Sequence, residues 1–159
     1  MQARLDLNAN PAAYRAMLQL EQYVQGSGIN PTLLELIKIR ASQINGCAFC
    51  IDMHTKDARL HGETEQRIYA LNGWRETPFF TPEERAALAL TEAVTLIATN
   101  PVSDALYKEV SQHFSPEQIA NLLMAIVTIN GWNRIAIAAR TVPGTYEPPT
   151  PDQLKALAV

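Results

Sequence analysis

Three prolines each follow a residue that caps helices: Pro31 after Asn30, Pro82 after Thr81 and Pro116 after Ser115. Proline suits the first position of a helix, because the N–H it lacks has no partner there. Asn, Thr and Ser just before it accept bonds from the free N–H groups of the first turn. Thr81-Pro82-Glu83-Glu84 and Ser115-Pro116-Glu117-Gln118 are also capping boxes, in which Glu84 and Gln118 bond back to the cap. Alanine lies mostly inside the segments these signals open. No segment alternates with period two between turn signals. The chain is therefore expected to be all-α.

Seven main helices follow from these signals, at about 11–25, 31–44, 48–61, 65–72, 82–99, 104–113 and 116–141. The second carries a stripe of Leu33, Leu34, Ile37, Ala41 and Ile44 at helical spacing. The last is apolar almost all round over Leu122–Ile129, which marks a central helix or one shared with another subunit. With 159 residues the chain is expected to form one domain over 1–142. A Pro-rich tail over 143–159 follows, with a short helix at 152–158.

A net charge of −3 provides no basic footprint for nucleic acid or anionic lipid. Residues 1–8 contain no apolar signal-peptide core. The apolar run from Ile119 to Ala139 is interrupted by Asn121, Asn130, Asn133 and Arg134, so it reads as a core helix and not a membrane span. The expectation is a soluble cytoplasmic protein.

The two cysteines, Cys47 and Cys50, stand alone in the chain, three residues apart. In a cytosolic setting that spacing points to redox or metal chemistry. Asn45-Gly46 stops the preceding helix, so both cysteines fall in the first turn of the next. Free N–H groups and the positive helix end favour thiolates there. His54 lies four residues past Cys50 on the same face, where an imidazole can exchange a proton with the thiol or a leaving group. Glu35 lies roughly 14 Å before the turn and His54 roughly 12 Å after it, at about 1.5 Å per residue. If both face the groove between the two helices, Glu35 can hold the imidazole and stabilise its cation. Each residue also has a plainer reading: Glu35 as a surface carboxylate, His54 as a surface or core histidine.

The pattern Glu35-(x11)-Cys47-x-x-Cys50-(x3)-His54 resembles the signature of the alkylhydroperoxidase AhpD and carboxymuconolactone decarboxylase superfamily. Ile44-Asn45-Gly46-Cys47-Ala48-Phe49-Cys50 and Asn130-Gly131-Trp132-Asn133-Arg134-Ile135-Ala136 share the likeness, which spans roughly residues 30–140. The resemblance implies an AhpD-like bundle of six to seven helices around a central hairpin, assembled as a trimer or hexamer. It implies that Cys50 attacks a peroxide, that Cys47 resolves it as a redox-active disulfide, and that His54 and Glu35 relay protons. The best-known AhpD enzymes carry a histidine immediately before the second cysteine, where this chain has Phe49. The decarboxylase branch lacks the cysteine pair, which argues against lactone decarboxylation here.

The reading that results is a thiol-dependent peroxidase acting on a small-molecule peroxide, with no metal and no bound cofactor besides the cysteine pair. An external dithiol supplies the electrons. The rivals are a redox sensor that switches through its disulfide and a helical protein with an incidental cysteine pair. Structural zinc on Cys47, Cys50, His54 and His61 is disfavoured, since four ligands along one straight helix cannot surround an ion. His61 and His113 read as helix-end residues, and Trp74, Phe79 and Phe80 as packing around a turn. Tyr23, Trp132 and Asn133 are candidates to line a cavity.

Overall fold

A computed structural model describes residues 2–6 and 9–149. It contains α1 (Pro11–Gln25), α2 (Pro31–Asn45), α3 (Ala48–Leu60) and α4 (Glu65–Ala70). A 3₁₀ segment (Leu71–Glu76) leads to α5 (Pro82–Thr95), α6 (Asp104–Val110) and α7 (Pro116–Ala139). There is no strand among the described residues. The tail helix expected at 152–158 lies outside them.

The caps work as their chemistry dictates. Asn30 accepts from the backbone N–H groups of Thr32 and Leu33, and Thr81 and Ser115 each complete a reciprocal capping box. The helix ends differ from expectation by a few residues. α5 stops at Thr95, not 99, because the N–H groups of Thr99 and Asn100 both turn back to the Leu96 carbonyl at 2.8 Å. Pro101 follows and disfavours helical geometry in the residue before it. α6 stops at Val110, so His113 lies in the turn beyond it. α4 tightens into the 3₁₀ segment, where Gly73 leaves helical geometry. α7 ends at Ala139 because Arg140 adopts a left-handed conformation, φ 53°.

The largest departure concerns α2. The sequence pattern predicts one buried stripe, but Leu36, Ile39, Glu35, Lys38 and Ser42 are buried as well, and Ile44 is only half-buried. α2 is enclosed because α3, α5 and α7 all pack against it. One of its faces joins Ala86, Leu90, Leu122 and Ile126 through Leu33 and Ile37. Another joins Ala58, Leu71, Trp74 and Leu88 through Leu36 and Ile39. Each such aliphatic side chain contributes about 1.5–3 kcal/mol by leaving water.

Trp74 and Phe80 belong to the core, whereas Phe79 is exposed. The Trp74 ring N–H donates to Glu92 Oε1 at 2.8 Å, and the Arg75 and Arg85 guanidinium groups lie 4.1 and 5.2 Å from the ring. α7 is long and apolar enough to cross a membrane by length and composition alone. Here it packs against α1, α2, α3 and α5 as a core helix. A side chain at Gly131 would put its Cβ 3.0 Å from the terminal methyl of Met17 on α1, so the Met17 side chain packs directly over this glycine.

Candidate active site

The site is built at the turn between α2 and α3. Gly46 takes the left-handed conformation, φ 72°, that ends α2 and reverses the chain. Cys47 then serves as the N-cap of α3, its Sγ accepting from the Cys50 backbone N–H at 3.4 Å. Cys47 thus sits one position before the helix and not inside its first turn. The two cysteines form a disulfide with Cα atoms 5.4 Å apart, and both are buried, at 1% and 2% exposure. Ala41, Ile129, Ala136, Phe49 and Trp132 surround them, so Phe49 contributes apolar cover.

The reversal is clamped by a polar network that reaches across from α7. Asn45 Nδ2 donates to Asn130 Oδ1 and Asn133 Oδ1, both at 2.9 Å, and Asn133 Nδ2 donates to Ser42 Oγ at 2.9 Å. Asn130 in turn donates to Thr95 Oγ1 at 3.0 Å and accepts from Arg134. Ser42, Thr95, Asn130 and Asn133 each replace water with a protein partner, which is what allows them to be buried. Asn133 is therefore a structural clamp of the hairpin. Tyr23 is exposed and donates to Asn121 Oδ1. Trp132 borders an apolar groove of about 220 Å³ shared with Leu5, Ala13, Tyr14, Met17 and Ile135.

One turn beyond Cys50, His54 faces α2 and meets Glu35, with Nδ1 and Oε2 2.8 Å apart. An ionised carboxylate only accepts, so Nδ1 carries the proton and Nε2 is left for chemistry. Both residues are nearly excluded from water, at 5% and 4% exposure. Three further charged residues belong to this cluster, Lys38, Glu21 and Asp57, and the sequence reading missed all three. Lys38, 2% exposed, places Nζ 3.7 Å from Glu35 Oε1 and 2.6 Å from Glu21 Oε1. Burial opposes ionisation of Glu21, but the Lys38 ammonium and its hydrogen bond outweigh it and hold Glu21 below the ordinary carboxylate value. On the other side lies Asp57, which burial pushes above the usual range despite a 2.7 Å bond from the Tyr146 hydroxyl. Burial, and then Asp57 itself, push the Tyr146 phenol upward. Lysine is rarely buried unless paired, and its position beside Glu35 on one helix face is the only sequence signal that pointed here.

Tyr146 belongs to the chain after α7. This segment is tied along α3: Gly144 N–H donates to Asp52 Oδ2 at 3.0 Å and Lys56 Nζ donates to the Tyr146 carbonyl at 2.8 Å. Glu35, His54 and Asp57 offer ligand atoms within 4.8 Å of one another, a set that suits a divalent cation by type. Glu35 and His54 are bonded to each other and Asp57 accepts from Tyr146, so each of the three has a partner within the protein.

This fold and site define a class of helical proteins with a cysteine pair backed by a glutamate–histidine pair. Residues 11–93 match the carboxymuconolactone decarboxylase family, and the chain belongs to that family, within the superfamily that includes AhpD. It is 56% identical over 128 residues to the uncharacterized protein YdfG of Bacillus subtilis (strain 168), covering 80% of this chain and 87% of that one. It superposes on the crystal structure of ATU0492 from Agrobacterium tumefaciens with a TM-score of 0.88 at 44% identity, over 91% of this chain and 100% of that one. ATU0492 is a protein of unknown function, provisionally named an antioxidant defence protein AhpD. The debrominase Bmp8, solved with 2,3,4-tribromopyrrole, shares the fold at a TM-score of 0.79 and 19% identity, over 87% of this chain and 74% of that one.

Proposed function

We propose that this protein is a thiol-dependent peroxidase of the AhpD type, soluble and cytoplasmic. The observation that carries the reading is the buried Cys47–Cys50 pair at the start of α3, one turn from a histidine fixed by a buried carboxylate. The fold alone selects no substrate, since a debrominase shares it. The provisional name of ATU0492 agrees with the peroxide reading.

In the proposed cycle the Cys50 thiolate attacks the terminal oxygen of a hydroperoxide and the O–O bond breaks. The sulfur is oxidised to sulfenic acid, and the departing alkoxide takes a proton from His54 and leaves as the alcohol. Glu35 keeps the imidazole oriented and balances its charge. Cys47 then attacks the sulfenic sulfur, which releases water and forms the disulfide. An external dithiol returns two electrons and two protons by thiol–disulfide exchange. The cysteine pair is the redox carrier, so the cycle uses no further cofactor.

The test is stopped-flow oxidation of the reduced protein by hydrogen peroxide, tert-butyl hydroperoxide and cumene hydroperoxide, followed by steady-state turnover with a dithiol. Fast loss of both thiols and sustained alcohol production are expected. A single stoichiometric oxidation without turnover under any dithiol would favour the redox-switch reading. Thiols that react no faster than free cysteine would exclude both.

A further inference from the structure

Lys38 and Glu21 lie outside the cysteine–histidine–glutamate line, and that line does not explain them. Lys38 is among the largest fully buried side chains of the protein, and its ammonium touches two carboxylates. Burying an ammonium is costly unless it is paired, so a core position would be better served by leucine or methionine if packing were all that mattered. The position matters electrically. Lys38 sits on the Glu35 oxygen opposite the one that holds His54, since Oε1 faces Nζ and Oε2 faces Nδ1. Glu21, on α1, takes the other side of the ammonium and is itself supported by Gln25 Nε2 at 3.0 Å. The Glu21 side chain is 24% exposed, so the row Glu21–Lys38–Glu35–His54 begins at solvent and ends one helical turn along α3 from Cys50.

We propose that Lys38 and Glu21 are positioning residues that set the proton affinity of the Glu35–His54 pair. Lys38 lies on one oxygen of Glu35 while the other holds His54 Nδ1, which leaves Nε2 for proton exchange. Its positive charge also weakens proton uptake by the pair, and Glu21 offsets part of that charge. Together they place the pair where His54 can both give up and regain a proton in one cycle. The other groups facing the pair are Asp57 on α3, whose charge favours the protonated imidazole, Tyr146 bonded to Asp57, and the cysteines themselves. The Lys38 charge also reaches Asp57 and favours its ionised form, so part of a Lys38→Met shift passes through Asp57. The assignment rests on the relay proposed above, but its readout is on His54 and does not need peroxide.

Two variants push in opposite directions. Lys38→Met keeps most of the side-chain stem and removes the positive charge. Proton uptake by the pair, followed through the His54 ring carbons by NMR, is expected to move to higher pH by on the order of one unit. Glu21→Gln removes a partly exposed negative charge and leaves Lys38 wholly to Glu35. Uptake is expected to move to lower pH by a smaller amount, with the fold intact even if Lys38→Met proves too unstable to titrate. A structural role alone moves neither midpoint. Unchanged midpoints, or a Glu21→Gln shift to higher pH, overturn the assignment. If the shifts appear while the parent reduces no peroxide, the peroxide reading fails and the assignment stands. If the parent reduces peroxide and Glu21→Gln leaves the midpoint unmoved, the assignment alone fails.

Discussion

His54 on α3 and Glu35 on α2 meet at 2.8 Å although nineteen residues separate them, because the hairpin at Gly46 brings the two helices level. The bond is buried on both sides, so water does not compete for it. In Glu35→Gln the shape is kept and the charge removed. Peroxide reduction is expected to slow by about 10- to 1000-fold, the scale of a lost proton-transfer contribution. The pH–rate profile should change shape, which a purely structural defect would not produce. Equal rates from pH 5 to 8 would reduce Glu35 to a packing residue.

The two cysteines differ in role and in local structure. Cys50→Ser is expected to abolish peroxide consumption. Cys47→Ser should still fold, since serine is itself a favoured N-cap and Cys47 Sγ already fills that place. It should react once and leave a sulfenic acid on Cys50 that dimedone traps. Dimedone found instead on Cys47 in the Cys50→Ser protein would reverse the assignment.

Asn133 carries no chemistry, yet it holds the hairpin. Asn133→Ala removes the donor to Ser42 Oγ and one of the two acceptors of Asn45 Nδ2, in a fully buried place. A loss of about 1–3 kcal/mol per orphaned group is expected in chemical denaturation. A variant as stable as the parent would show that water fills the gap.

Glu92 joins α2, α5 and the 3₁₀ segment by accepting from Arg40, Trp74 and Arg75. Burial raises its proton affinity, but these three donors outweigh burial and hold it below its ordinary 4.5. A lowered carboxylate stabilises the fold above its unfolded value, and that stability is lost as pH falls through the folded value. Glu92→Gln should therefore be less stable than the parent at pH 7, by about 1.5–3 kcal/mol for charge-assisted bonds. The gap should start to close near pH 4.5 and vanish further down. A gap that stays constant to pH 3 would show that the charge is not what matters.

Val127 and Ile137 on α7 are 52% and 45% exposed, on a helix whose other faces are core. Large apolar side chains left exposed on a core helix suit a contact between copies of the chain. Assembly as a trimer or hexamer is expected, the hexamer slightly favoured, with Val127→Asp dissociating it. Light scattering at micromolar concentration measures the mass directly, and a monomer for the parent would exclude the assembly.

Much of this protein was legible in its sequence because the signals are local. A cap followed by proline fixes where a helix starts, and Asn30, Thr81 and Ser115 did so to the residue. Asn45-Gly46 fixed the reversal, and with two helices of known rise it placed Glu35 beside His54. Tertiary structure decided what local signals do not encode. A lysine on a helix reads as solvated until three neighbouring helices enclose it, and only then do Glu21 and Glu35 become its necessary partners. Asn133 reads as a polar group near a site, and its role as a clamp depends on where α7 crosses the hairpin. Asp57 and Tyr146 meet only because the chain after α7 lies back along α3. The physical reason is common to all three: hydrogen bonds along a helix follow from residue spacing, whereas pairing between buried charges depends on which distant surface removes the water.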